Sequence, residues 1–169
     1  MEMAPIAGAD KVISRNRDEF LRELLSELAN VLESRVGLEA AEGFIGRVGS
    51  RIGETMNEEY RAIFETDALD VTQVAQALVD LKERIEGAFK VESISPEKIV
   101  LVNSSCPFAD QVEGRESLCM MTTSVFGRIA ASNLGYARVE KPQTIARGDL
   151  GCRVIVHLTE GEAGREFFG

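Results

Sequence analysis

The spacing of apolar residues changes near residue 90, and that change dictates the order of elements. Before it, three long segments repeat apolar residues at helical intervals. After it, short alternating runs come in pairs around one more helical segment. Adjacent pairs of strands join by tight turns, so the sheet is expected to be antiparallel and the class α+β.

The first helical segment is SRNRDEFLRELLSELANVLESRVG, with Phe20, Leu21, Leu24, Leu25, Leu28, Val31 and Leu32 in one stripe. Asn16 followed by Glu19 fits a capping box, Asp18 suits the positive end of the helix dipole, and Gly37 is a stop. The second, LEAAEGFIGRVGSRIGETMNEEYRAIF, carries Phe44, Ile45, Val48, Ile52, Met56, Tyr60 and Ile63 on a broad apolar face. Gly43, Gly46, Gly49 and Gly53 share one side of it, and each costs up to about 1 kcal/mol against alanine. Their spacing is best read as close approach of another element, with the missing side chains making room. Asp70 caps the third, VTQVAQALVDLKERIEGAFK. The stripes of this N-terminal half need something to cover, and the sheet is the expected partner.

Lys90–Ser95 and Lys98–Asn103 read as two strands around the turn signal Ser95-Pro96-Glu97. A loop follows, SSCPFADQVEG, then a fourth helix in RESLCMMTTSVFGRIAASNLG. Tyr136–Ala146 and Gly151–Thr159 are the last two strands. Residues 1–13 and 160–169 read as tails, leaving a single domain over 14–159.

Charge and cysteine content narrow the function. The chain of 169 residues holds 28 acidic and 19 basic side chains, a net charge of −9. Such a surface repels phosphate backbones, so no direct DNA binding is expected. MEMAPIAGADKV has no basic run leading into an apolar stretch, and no window approaches a membrane span. Three cysteines are an odd number for a disulfide framework. The expectation is a cytoplasmic protein with reduced thiols.

Those thiols sit at element ends: Cys106 after the second strand, Cys119 near the start of helix four, Cys152 opening the last strand. If helix four folds back on the sheet, all three can meet at one rim. They then form a candidate site for an iron–sulfur cluster, with zinc as the alternative. Glu116 and Glu140 are candidates for a fourth ligand. Strand alternation sets His157 on the face opposite Cys152. With one histidine so placed, no catalytic constellation is readable, and the chain is not expected to be an enzyme. The competing reading is an apolar ligand pocket between the glycine helix and the sheet, lined by Phe44, Met56, Met120, Met121 and Phe126, with the cysteines as buried structural residues.

The element order, GFIGRVGSRIGE in the second helix and the ending GDLGCRVIV resemble the 4-vinyl reductase domain, which shares its fold with small TRAPP trafficking subunits. The stretch from NSSCPF to GDLGCRV looks closer still to the methanogen output domain family, and is similar to the sensory half of SufR-type iron–sulfur repressors. The resemblance spans roughly residues 17–159. It implies a sensory domain that dimerises through its helices, binds a small hydrophobic ligand or a metal cofactor, and signals through a protein partner. In phenol-sensing relatives a zinc is held by cysteines at the places of Cys119 and Cys152 and by a Glu-x-x-Cys pair. Lys141 and Thr144 occupy that pair's places here, with Glu140 adjacent. The winged helix of SufR-type proteins has no counterpart in residues 1–90, which are committed to the domain's own helices.

Overall fold

The computed structural model describes residues 16–169. The tail expected over 1–13 lies outside the described residues. Three helices come first: α1 (Arg17–Val36), α2 (Leu38–Ile63) and α3 (Val71–Glu83). Strands β1 (Lys90–Ile94) and β2 (Lys98–Asn103) precede α4 (Cys119–Leu134), and β3 (Tyr136–Gln143), β4 (Cys152–His157) and β5 (Arg165–Phe168) complete the chain. The expected capping box of Asn16 with Glu19 forms, and the expected cap Asp70 makes a second box with Gln73.

The five strands make one antiparallel sheet in the order β1-β2-β4-β3-β5. The hairpins therefore interlock, with β4 rather than β3 beside β2. Register places Ile99 against Val156, Leu101 against Val154 and Val139 against Val156. These side chains are buried together with Val74, Leu78 and Leu81 of α3 and Phe126 and Ile129 of α4. Phe89 meets Phe126 edge-to-face, centroids 5.6 Å apart. The core thus lies between the sheet and α3 and α4.

The fourth layer partner is α2, and its glycines explain how it gets there. A Cβ on Gly49 would stand 2.9 Å from Ser124 Cβ and 3.2 Å from the Met121 carbonyl oxygen. One on Gly53 would stand 3.0 Å from Arg128 Cβ and 3.2 Å from Val125 Cα. The stripe lets the backbone of α2 approach α4 directly, whereas Gly43 faces open space. Asn133 at the end of α4 locks the same contact, donating to Asn57 Oδ1 (2.6 Å) and accepting from Arg61 Nε (2.9 Å) and Leu69 N (3.0 Å).

Two expectations are corrected here. The leucine stripe of α1 does not cover the sheet. α1 turns Ser26 and Ala29 inward, while Leu24 (42% exposed) and Leu28 (57%) face out with Phe20, Leu21, Leu25 and Val31. The inner slot is narrow: Ser26 Oγ donates to the Gln111 carbonyl at 2.8 Å, a distance no leucine could accept. Residues 160–169 are also more than a tail. β5 pairs with β3, and Phe167 is buried with its ring over Gly127. Only glycine at 127 leaves that ring room.

Candidate functional site

The loop after β2 folds over the ends of β3 and β4 and builds a small second core. Val112, Leu118, Ala146 and Ala29 are buried in it, with Cys106, Phe108 and Cys119 packed against them. Between this cluster and the main core lies a cavity of about 580 Å³, its open mouth included. Its wall is mainly apolar: Ile85 and Phe89 behind α3, Phe108 and Leu118 from the loop, Met121 from α4, Val154 from β4.

Asn103 sets the shape of this end of the molecule. Its Oδ1 accepts from Cys152 N (2.8 Å), and its Nδ2 donates to the carbonyls of Gly87 (3.1 Å) and Ser105 (2.6 Å). One side chain thereby ties the entry to β1, the loop and the start of β4. Opposite the loop, Gly151 packs directly on the Asn103 carbonyl.

All three cysteines are unpaired, half-buried, and line this cavity. They do not form a metal centre, and the expected iron–sulfur or zinc site is corrected. No group of three or more His, Cys, Asp or Glu side chains among the described residues could hold a metal ion. The electrostatics agree. Burial pushes the Cys106 thiol up, partly opposed by a backbone hydrogen bond at Phe108. Burial likewise pushes Cys119 up to about 11, against the pull of Lys141. Cys106 and Cys119 are therefore neutral at ordinary pH, and all three cysteines share their cavity with the ammonium groups of Lys82 and Lys141, which repel a cation. The proposed fourth ligands are no better placed. Glu116 begins the short 3-10 turn Glu116–Leu118. Glu140 Oε2 lies 2.9 Å from His157 Nε2, on the outer sheet face away from Cys152.

Lys82 is the residue that sequence reasoning passed over. It is 4% exposed. Its Nζ donates to Thr122 Oγ1 at 2.7 Å and sits over the rings of Phe89 (5.6 Å) and Phe126 (5.5 Å). Burial drags its pKa down to about 8, although the nearby cysteines pull the other way. The signal was present: Val74, Leu78 and Lys82 are spaced by four on α3, so a lysine interrupts an apolar stripe. Lys141 carries a lowered pKa from burial too, and its Nζ lies 3.5 Å from Met120 Sδ.

The expected pocket residues are dispersed. Phe126 is at the centre of the main core and Met56 packs against it. Met120 is buried beside Lys141. Phe44 is 58% exposed on α2, beside a shallow groove that includes Arg165 and Phe168. Of the five residues named, Met121 lines the cavity.

An antiparallel sheet backed by α3 and α4, with a mainly apolar cavity at one end, defines a small α+β domain. The chain matches the Methanogen output domain 1 family over residues 24–157, and it belongs to that family. In structure it is similar to trafficking protein particle complex subunit 3 from Naegleria fowleri, solved covalently bound to palmitic acid. The two share 16% identity, with 88% of this chain and 97% of that chain covered and a TM-score of 0.66, a likeness of fold. No curated protein matches the chain. Among the described residues, no helix is long and apolar enough to cross a membrane.

Proposed function

We propose that this domain is a regulatory module that holds a small hydrophobic molecule in the cavity under the first turns of α4 and reports its occupancy to a protein partner. The apolar wall formed by Ile85, Phe89, Phe108, Leu118, Met121 and Val154 carries this reading. The fatty acyl group held by the Naegleria fowleri protein supports it, since that protein has the same fold. The cysteines serve as compact wall residues. Kinship to 4-vinyl reductase-type sensors belongs to the same proposal, as does a cytoplasmic setting in keeping with three unpaired thiols. Binding rather than catalysis is the role proposed, because His157 pairs with Glu140 on the far sheet face and burial holds Cys106 and Cys119 protonated.

The outward stripe of α1 and the exposed Phe44, Val48 and Ile52 of α2 favour a second copy as a further partner. A homodimer joined by these helices would bury both stripes. Sedimentation of the purified chain tests this: a dimer is expected, weakened by Leu24→Glu and Leu28→Glu together, and a monomer at micromolar concentration refutes it.

The binding reading is tested by thermal shift against a panel of aliphatic and aromatic amphiphiles, with mass spectrometry of any bound compound. Stabilisation by some of the panel, abolished by Met121→Trp filling the cavity, is expected. A flat response across the panel overturns the reading.

A further inference from the structure

We propose that the cavity receives an amphiphile with a carboxylate head, and that the Lys82 ammonium is the group that binds this head. The inference deepens the ligand-binding reading above and rests on it.

Lys82 Nζ is buried, and among the described residues no carboxylate forms an ion pair with it. An ammonium has three N–H donors. Thr122 Oγ1 takes one, and the Phe89 and Phe126 rings offer their faces but no lone pairs. Two donors and a full positive charge remain without an acceptor from the protein. Buried cations are kept in folded proteins when something pairs with them.

The surroundings say where the partner comes from. Lys82 lines the cavity, as does Lys141. None of the described residues that line the cavity is acidic, in a chain with 28 acidic side chains against 19 basic ones. The first turn of α4, the positive end of its dipole, forms part of the same wall. Among the described residues, every charged side chain lining the cavity is positive, and the rest of the wall is mainly apolar. The complement is an apolar body with one negative head. A carboxylate has one charge to match one buried ammonium and two oxygens to match its two free donors.

The experiment is calorimetric titration of the full chain at pH 7 with dodecanoate and with dodecanol, both below their aggregation thresholds. Dodecanoate is expected to bind about tenfold tighter or more, the usual worth of a charged hydrogen bond. Lys82→Met should erase that preference, and Lys141→Met should preserve most of it. Equal affinities in the unmodified chain overturn the proposal and leave the module reading standing. A preference that survives Lys82→Met overturns it as well, since another group then binds the head. Binding of neither probe overturns the ligand-binding reading itself, and the proposal with it. Should Lys82→Met fail to fold, Lys141→Met decides: a preference kept in that variant supports the proposal, and a preference lost with Lys141 overturns it.

Discussion

Lys82 Nζ and Thr122 Oγ1 are joined by a 2.7 Å hydrogen bond that crosses from the end of α3 to the second turn of α4. It is the polar link between two helices that otherwise meet through apolar side chains, and it lies on the cavity wall. A charged donor there strains the unliganded domain. Lys82→Met, of similar length and without charge, should stabilise the unliganded chain by about 1–3 kcal/mol, the range seen when buried charges give way to hydrophobic residues. Urea denaturation at pH 7 measures it.

The pH dependence of stability follows from the same residue. The folded pKa of Lys82 is about 8 against an ordinary 10.5. Between those values the unfolded chain binds a proton that the folded chain lacks, so stability rises with pH through this window. Lys141, also lowered, acts in the same direction. Cys119 acts in the opposite one: raised from 9 to about 11, it keeps its proton in the folded state where the unfolded chain has lost it, and Cys106 does likewise. Stability should therefore climb from pH 8 to about 9 and then level off. The Lys82→Met variant should lack most of the climb.

Cysteine chemistry gives a third expectation. With its pKa near 11, Cys119 has roughly a hundredfold less thiolate at pH 7 than an ordinary thiol of pKa 9. Iodoacetamide labelling followed by peptide mass spectrometry should find Cys119 slow to alkylate in the folded chain. Unfolding in urea should bring it to the rate of a free thiol.

The glycines of α2 can be separated by substitution. Gly43 faces open space, so Gly43→Ala should stabilise by up to about 1 kcal/mol through helix propensity alone. At Gly49 the added methyl would meet Ser124 Cβ at 2.9 Å, and Gly49→Ala should destabilise by about 1–3 kcal/mol. Denaturant melts of the two variants should move in opposite directions.

Periodicity carried the helices, the first four strands and their pairing into hairpins, because each is a local pattern. The order of strands in the sheet was not local, since β4 beside β2 depends on how two hairpins dock. β5 escaped notice because four residues between Gly164 and Gly169 carry no alternation long enough to read. The orientation of α1 was misread for a different reason: periodicity finds a stripe but not which way it faces. For the site, the meeting of Cys106, Cys119 and Cys152 at one end was legible from element boundaries. Their role was not, because a metal centre and a ligand cavity both place cysteines there. The deciding residues, Lys82 and Lys141, became visible only once burial and neighbours were known.

The backbone contact between α2 and α4 has a mechanical consequence. Met121 faces the cavity with its side chain, while its carbonyl oxygen lies 3.2 Å from where a Gly49 Cβ would be. Side chains between helices act as cushions, able to change rotamer and absorb a small displacement. At this crossing there is no cushion. A shift of the Met121 backbone meets the backbone of α2 at Gly49, on a helix that also bears the exposed Val48 and Ile52. The glycine stripe makes the two helices a stiff linkage between an enclosed chamber and an external apolar face.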